Sequence, residues 1–218
     1  MIIDCIADLH GHYPKLEGGD LLIVAGDLSA HDHGGEHFEF LMWLKDQKYI
    51  RKIFIAGNHD NEWIDYVPHA PTFKHGMEYL CDSGTEFEGL KIWGSPWTLT
   101  FPGINPHCTA FTGTEAELEA KFAMIPDDTD ILVTHGPPKG MLDRSIAGIQ
   151  CGSQSLTNKI HRLQLRVHVF GHIHEAYGKE DCFIPAYNYI GMCDCRFINC
   201  SHVNERYKPV NKPVRVVL

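Results

Sequence analysis

Apolar residues fall along this chain in short unbroken runs, and each run stops at glycine beside acid, amide or imidazole side chains. Ile53-Phe54-Ile55-Ala56 has the length and branching of a strand buried on both faces, and it ends at Gly57-Asn58-His59-Asp60. Leu21 to Ala25 ends in the same way at Gly26-Asp27, and the strand-like start, Met1 to Ala7, delivers Asp8-Leu9-His10 to a bend at Gly11. Two later runs, Ile131 to Val133 and Val167 to Phe170, end at Thr134-His135-Gly136 and at Gly171-His172-Ile173-His174. Loops held by a rigid sheet are where binding and catalytic groups concentrate, so these five strand ends are the candidate site.

Between the runs the pattern changes period. Glu36 to Lys48 reads as a helix with an apolar face of Phe38, Leu41, Met42 and Leu44. It joins the second and third runs, which makes a right-handed βαβ unit with parallel strands. Further helices are expected from about Glu115 to Met124 and from Ser155 to Leu163. Gly152 and Ser153 at the start of the latter place free N–H groups where an anion could sit. Gly89 to Trp93 reads as a strand ended by Gly94-Ser95-Pro96-Trp97, followed by a long surface loop, Thr98 to Thr114, of the kind that faces substrate. Pro68 to Pro71 reads as irregular, and short strands and turns run from Ile184 to a closing strand at Val214 to Leu218.

Composition narrows the class. With 218 residues and 44% apolar content the chain supports one domain, residues 1–218, with a sizeable core. The net charge of −9 is spread along the sequence with no polybasic block, which argues against an extensive nucleic-acid footprint and for a small substrate. No run approaches the ~18 apolar residues that cross a bilayer, and no secretory segment opens the chain, so no membrane partner is expected. The eight cysteines are then read as reduced thiols of a cytoplasmic protein. Cys182, Cys193, Cys195 and Cys200 do not form a paired C-x2-C site and are read as small buried side chains.

The strand ends together supply Asp8, His10, Asp27, Asn58, His135, His172 and His174. Oxygen and imidazole donors without a thiolate suit borderline or hard divalent ions. Seven donors exceed one coordination shell, whereas a carboxylate such as Asp27 can bridge a metal pair, so two divalent transition ions are expected: manganese first, with Fe, Zn, Ni or Co as alternatives. Period-two geometry puts Asp8 and His10 on one side, and His172 and His174 likewise. The other histidines apart from His59, ten of the fifteen, need no metal role.

The ordered set D-x-H, G-D, G-N-H-D, H and G-H-x-H, spanning residues 8 to 174, resembles the calcineurin-like metallophosphoesterases. Gly94-Ser95-Pro96-Trp97-Thr98, Gly171 through Gly178 and Phe197-Ile198-Asn199 are similar to the metallophosphoesterase-domain branch related to the brain protein 239 phosphodiesterases. The resemblance implies an α/β fold, a four-layer α-β-β-α sandwich of two mixed sheets flanked by helices. It also implies a first metal on Asp8, His10, Asp27 and His174, and a second on Asp27, Asn58, His135 and His172. His59 would then be the general acid toward a leaving group displaced by a metal-bridging hydroxide. One departure matters: protein phosphatases of this superfamily carry G-D-x-x-D, whose second acid orients the catalytic histidine, and here Ala30 stands in that position. Asp32 and Asp60 are the alternatives.

The reading that follows is a phosphodiesterase for a small phosphodiester or cyclic nucleotide, with Asn58, Trp97 and Tyr177 as substrate contacts. Core packing is the competing reading for Trp97 and Tyr177. A phosphomonoesterase or protein phosphatase, and a non-catalytic interaction module on the same fold, are the alternatives. Oligomeric state is not legible.

Overall fold

The computed structural model describes residues 1–30, 35–66, 75–103, 106–185 and 192–218, leaving aside the side chains of 65–66, 183–185 and 192–193. Asp32, the stretch Pro68 to Pro71 and the Cys193 side chain lie outside this description. Two sheets carry the fold. The first joins β1 (Ile2–Ile6), β2 (Gly19–Ala25), β3 (Tyr49–Ile55) and β4 (Met77–Tyr79) in parallel, with β13 (Val214–Val217) antiparallel on the outer side of β1. In the second, β6 (Leu90–Ser95), β9 (Ile131–Thr134), β10 (Val167–Phe170) and β12 (Met192–Asn199) run parallel. That sheet is closed at its two edges by antiparallel β5 (Ser83–Phe87) and β11 (Gly178–Pro185). Both sheets are therefore mixed.

Side-chain alternation along the strands builds the layers. On β3, Ile53 and Ile55 point into the space between the sheets, where they meet Ile23, Ile92, Val133, Val169 and Ile198. Phe54 points the other way and packs with Phe40, Leu44 and Trp63 under helix α1 (Glu36–Asp46). Leu132 and Phe170 of the second sheet pack outward against Leu118 and Phe122 of α2 (Glu115–Ala123) and Leu156 and Ile160 of α3 (Gln154–Ile160). The order is thus helix, sheet, sheet, helices, the α-β-β-α sandwich expected. Each fully buried Leu, Ile or Phe contributes roughly 1.5–3 kcal/mol of transfer free energy, which makes the three apolar layers the main source of stability.

The βαβ unit expected from β2, α1 and β3 is present, with Ile23 opposite Ile53 in parallel register. Its helix face differs from the expectation. Phe38 and Met42 are 63% and 57% exposed, while Phe40 and Leu44 are buried. The helix carries two i, i+4 apolar stripes, and the crossover presents the second one to Phe54. The loop from Thr98 to Thr114 also holds more structure than expected, since β7 (Thr98–Leu99) pairs in parallel with β8 (Thr112–Gly113). This ladder folds the loop back on itself beside the site. Thr114 then starts α2 through a reciprocal cap with Glu117.

The end of β12 crosses from one sheet to the other. Ala7 donates to the Cys200 carbonyl at 2.9 Å and accepts from the His202 amide at 2.7 Å, so the chain after Asn199 lies against the end of β1. All five polar strand ends therefore open at the same edge of the sandwich.

Candidate metal centre

Backbone turns, more than strand alternation, aim the site. Asp8, His10, Asp27 and His172 all have φ between 41° and 69°, the left-handed region that costs a residue with a side chain of order 1 kcal/mol. Asp8 and His10 meet in one cluster because both turn out of the strand, with the Asp8 amide on the Gly26 carbonyl and that of His10 on the Asp27 carbonyl. The same turning separates His172 from His174. Period-two geometry predicted a shared side, but His172 joins Asp27 and His135, whereas His174 joins Asp8, His10 and Asp27.

Asp27 is the shared member, and its two oxygens face different ways. Oδ2 lies 3.5 Å from His10 Nε2, and Oδ1 lies 3.3 Å from His135 Nε2. In the first group His174 Nε2 stands 3.7 Å from Asp8 Oδ1 and 3.3 Å from His10 Nε2. In the second, Asn58 Oδ1 is 2.9 Å from His135 Nε2. The seven sequence-selected donors therefore converge into two groups joined at Asp27. The other potential partners are held elsewhere: His135 Nδ1 bonds the Ala25 carbonyl at 3.0 Å and His174 Nδ1 the Asn204 carbonyl at 3.2 Å, which leaves each Nε2 to point inward.

Space is kept open for these carboxylates. A Cβ added at Gly57 would lie 2.3 Å from Asp27 Oδ1, and one at Gly171 would lie 2.2 Å from Asp8 Oδ2. Gly57 is needed for this close approach; its φ is not in the left-handed region.

The charges suit a cation. Burial alone would raise Asp8, but His174 beside it brings the carboxyl down to about 2. Burial would likewise raise Asp27, yet His135 holds it well below the usual carboxylate range. Burial lowers His10 to about 4 and His172 to about 3, so both are neutral imidazoles with a lone pair to give. For His135, burial is outweighed by the Asp27 carboxylate, which lifts it to about 9. Two buried anions thus face two imidazoles that burial keeps neutral and two, His135 and His174, whose charged form the carboxylates favour. Two carboxylates and four imidazoles whose ligand atoms gather in two groups within 4.8 Å of one another, with one amide oxygen beside the second and no lysine or arginine among them, fit a divalent metal pair.

His59 stands over this centre. Its amide donates to Asp27 Oδ1 at 2.9 Å, its Nε2 is 4.0 Å from Asp27 Oδ2, and its Nδ1 contacts Cys108 Sγ at 3.4 Å. A thiol thus occupies the place at Nδ1 for which a carboxylate was sought. Asp60 serves the loop instead: its carboxylate accepts from the amides of Gly57, Leu28 and Ser29 at 2.7 to 3.1 Å and from the Ser29 hydroxyl at 3.0 Å. Burial and the Asp27 charge push Asp60 up to about 7, against the pull of those donors.

A cavity of about 200 Å³ opens beside Asn58 and His172 and is otherwise lined by the 99–112 loop, including Leu99, Phe101, Pro102, Cys108 and Thr109. The Phe101 ring stacks against that of His172, with centroids 5.9 Å apart. Trp97 and Tyr177 do not line it. The Trp97 indole donates to Asp82 at 2.8 Å and lies under Lys121, and the Tyr177 hydroxyl donates to the Lys212 carbonyl at 2.9 Å. Both rings are occupied in packing, so of the expected substrate contacts only Asn58 faces the cavity. Cys108, Ser201, Asn204 and Tyr207 carried no signal in the sequence; only the fold brings them here.

The anion expected at the start of α3 is supplied by the chain itself. The Glu115 carboxylate accepts from the Gln154 and Ser155 amides at 2.7 and 3.0 Å and from the Ser153 and Ser155 hydroxyls at 3.0 and 2.7 Å. Among the described residues, both groups able to hold a metal are free of cysteine.

Two groups able to hold a metal, sharing a carboxylate, lie at one edge of a two-sheet sandwich. A family model described as calcineurin-like phosphoesterase matches residues 1–176, and the chain belongs to that family. It is 34% identical to the human and mouse proteins named metallophosphoesterase domain-containing protein 1, over 98% of this chain and 70% of theirs. A UPF0046 protein of Caenorhabditis elegans is 30% identical over 96% of this chain and 58% of its own length. The crystal structure of TT1561 of Thermus thermophilus shares the fold, with a TM-score of 0.65 at 13% identity, covering 91% of this chain and 88% of that one.

Proposed function

We propose that the protein is a metal-dependent phosphodiesterase acting on a small phosphodiester, cyclic nucleotides among the first to test, with His59 as general acid. The observation that carries this reading is Asp27, whose two oxygens face separate ligand groups while His59 stands 4.0 Å away. Bound at those groups, two divalent ions, with manganese the first choice, would neutralise the phosphate and activate water. The chain supplies the rest. Asn58 and His172 line the cavity on one side, and its Leu99, Phe101 and Pro102 wall would exclude water from an ester group bound there. His59 Nε2 points at the centre and can give a proton to the departing oxygen, while Nδ1 rests on Cys108.

Among the described residues, the cavity lining carries no lysine or arginine, so a phosphoprotein or a dianionic monoester finds no added counter-charge in it. That favours a diester over a monoester. Among the described residues no disulfide joins the cysteines, which suits a reducing compartment such as the cytoplasm, and no helix is long and apolar enough to cross a membrane. The test is turnover by manganese-loaded protein of bis-p-nitrophenyl phosphate, p-nitrophenyl phosphate and a panel of cyclic nucleotides. Diester hydrolysis ahead of monoester hydrolysis is expected. A fully metallated protein inert toward every diester would overturn the reading.

A further inference from the structure

The segment after β12, beyond the end of the family match, builds a second wall of the centre. Ser201 Oγ donates to Asp8 Oδ2 at 2.5 Å, and the Asn204 carbonyl holds His174 Nδ1. Asn204 also closes its own turn. Its amide donates to the Lys208 carbonyl at 2.9 Å, its Oδ1 accepts from the Arg206 and Lys208 amides at 3.0 Å, and its carbonyl accepts from the Tyr207 amide at 2.8 Å. Within this turn Tyr207 has a φ of 56°, a conformation that an aromatic residue adopts only under constraint. The constraint holds its ring nearly perpendicular to His10 and His174, with centroids 4.8 and 5.3 Å away, and 6.1 Å from His59.

A ring placed for core packing is buried even where its backbone is left-handed, as Phe111 is at a φ of 48°. Tyr207 is 40% exposed on strained backbone, and the ring lies over histidines of the first ligand group. The 99–112 cavity opens at Asn58 and His172, on the second. A phosphoryl group lying across both ligand groups therefore has the cavity on one side and the Tyr207 ring on the other. A diester has two organic substituents to place, and a monoester has one.

We infer that Tyr207 is a substrate-contacting specificity residue whose ring receives the ester substituent that does not enter the cavity, so that the site selects diesters with flat or apolar groups over monoesters. The inference rests on the phosphodiesterase reading. Strain at this residue is offset by the hydrogen bonds of the Asn204 turn, whose carbonyl also holds His174 Nδ1.

The experiment compares wild type with Tyr207→Asn, which tolerates the left-handed backbone but lacks the ring, and Tyr207→Phe, which keeps the ring. Hydrolysis of bis-p-nitrophenyl phosphate and p-nitrophenyl phosphate is measured. So are metal content, melting temperature and, in a His59→Ala background, equilibrium binding of both esters by calorimetry. Tyr207→Asn is expected to lose about tenfold in diester kcat/KM and diester affinity, the worth of a good aromatic contact, with monoester values within about twofold. Tyr207→Phe should restore most of the diester kcat/KM and affinity that Tyr207→Asn loses, and Tyr207→Asn should melt no lower than wild type. Equal losses on both esters, or a lower melting temperature with loss of metal, would make Tyr207 a structural prop and overturn the inference, as would no change on either ester. Tyr207-dependent binding of a diester that the wild type does not hydrolyse would overturn the phosphodiesterase reading and keep the contact. A wild type that neither binds nor hydrolyses the diester would sink both.

Discussion

The edge of the sandwich around Asp27 and the start of α3 around Glu115 both gather polar groups that seek an opposite charge, and they resolve the need differently. At α3 the donors are backbone amides and serine hydroxyls, and a carboxylate 38 to 40 residues earlier in the chain satisfies them. At Asp27 carboxylates face imidazoles, two of which burial keeps neutral, with no lysine or arginine in the group. The first arrangement is a carboxylate of the chain on amides and hydroxyls, and the second is a set of carboxylates and imidazoles that could hold a metal ion. A cluster of helix-end donors and a cluster of strand-end ligands look equally promising as sequence. They differ in the donor set that the fold assembles: one carboxylate saturated by hydrogen-bond donors in the first, and carboxylates and imidazoles gathered in two groups able to hold a metal in the second.

The contrast can be broken at four points, beginning with the largest effect. Asp27→Ala removes the carboxylate shared by both ligand groups, and it should reduce metal stoichiometry and lower diester turnover on the order of a thousandfold or more. Elemental analysis beside a chromogenic assay checks this, and an undiminished metal content would remove Asp27 from its shared position. His59→Ala should cut turnover by about 10²- to 10⁴-fold with metal content nearly intact, the range expected when proton transfer is lost but binding is kept. Loss of metal together with activity in that variant would place His59 among the ligands.

Asp60→Ala strands the amides of Gly57, Leu28 and Ser29 in a buried loop, and it should cost roughly 2–4 kcal/mol in denaturant unfolding. A shift well below that range would mean the loop finds other partners. Glu115→Gln is the smallest change. Partial burial works against the Glu115 charge, but the Ser155 hydroxyl and the neighbouring amides hold its carboxyl below the usual range. A carboxyl lowered in the folded state contributes stability that is present above the ordinary carboxylate pKa and lost as pH falls through the folded value. The variant should be about 1 kcal/mol less stable at pH 7, after discounting for exposure, and the gap should close in acid below about pH 4. Melting curves at both pH values decide it. A gap that persists in acid would assign the effect to shape instead of charge.

Much of the site was legible as residue types at strand ends, because glycine beside Asp, His or Asn after a buried apolar run is a local pattern. The partition of those residues was not. His172 and His174 are two apart, yet they enter different groups, since a left-handed backbone at His172 breaks the alternation that an extended segment would keep. Trp97 was plausible as a substrate contact until Asp82 and Lys121 were seen to hold it. Likewise both i, i+4 stripes of α1 were apolar, and only the position of Phe54 chose between them.

What the sequence determined by itself is the set of short buried strands, the βαβ crossover and the placing of seven donor-type side chains and His59 at the strand ends. Those follow from neighbours within a few residues, through periodicity and side-chain chemistry. The tertiary structure alone decided what supports and encloses them: Ser201 on Asp8 across 193 positions, Cys108 on His59 across 49, and the Asn204 turn behind His174 across 30. Partners so far apart are chosen by how two sheets stack and where β12 crosses between them. No local pattern records that choice, because the free energy that sets it is spread over the whole core.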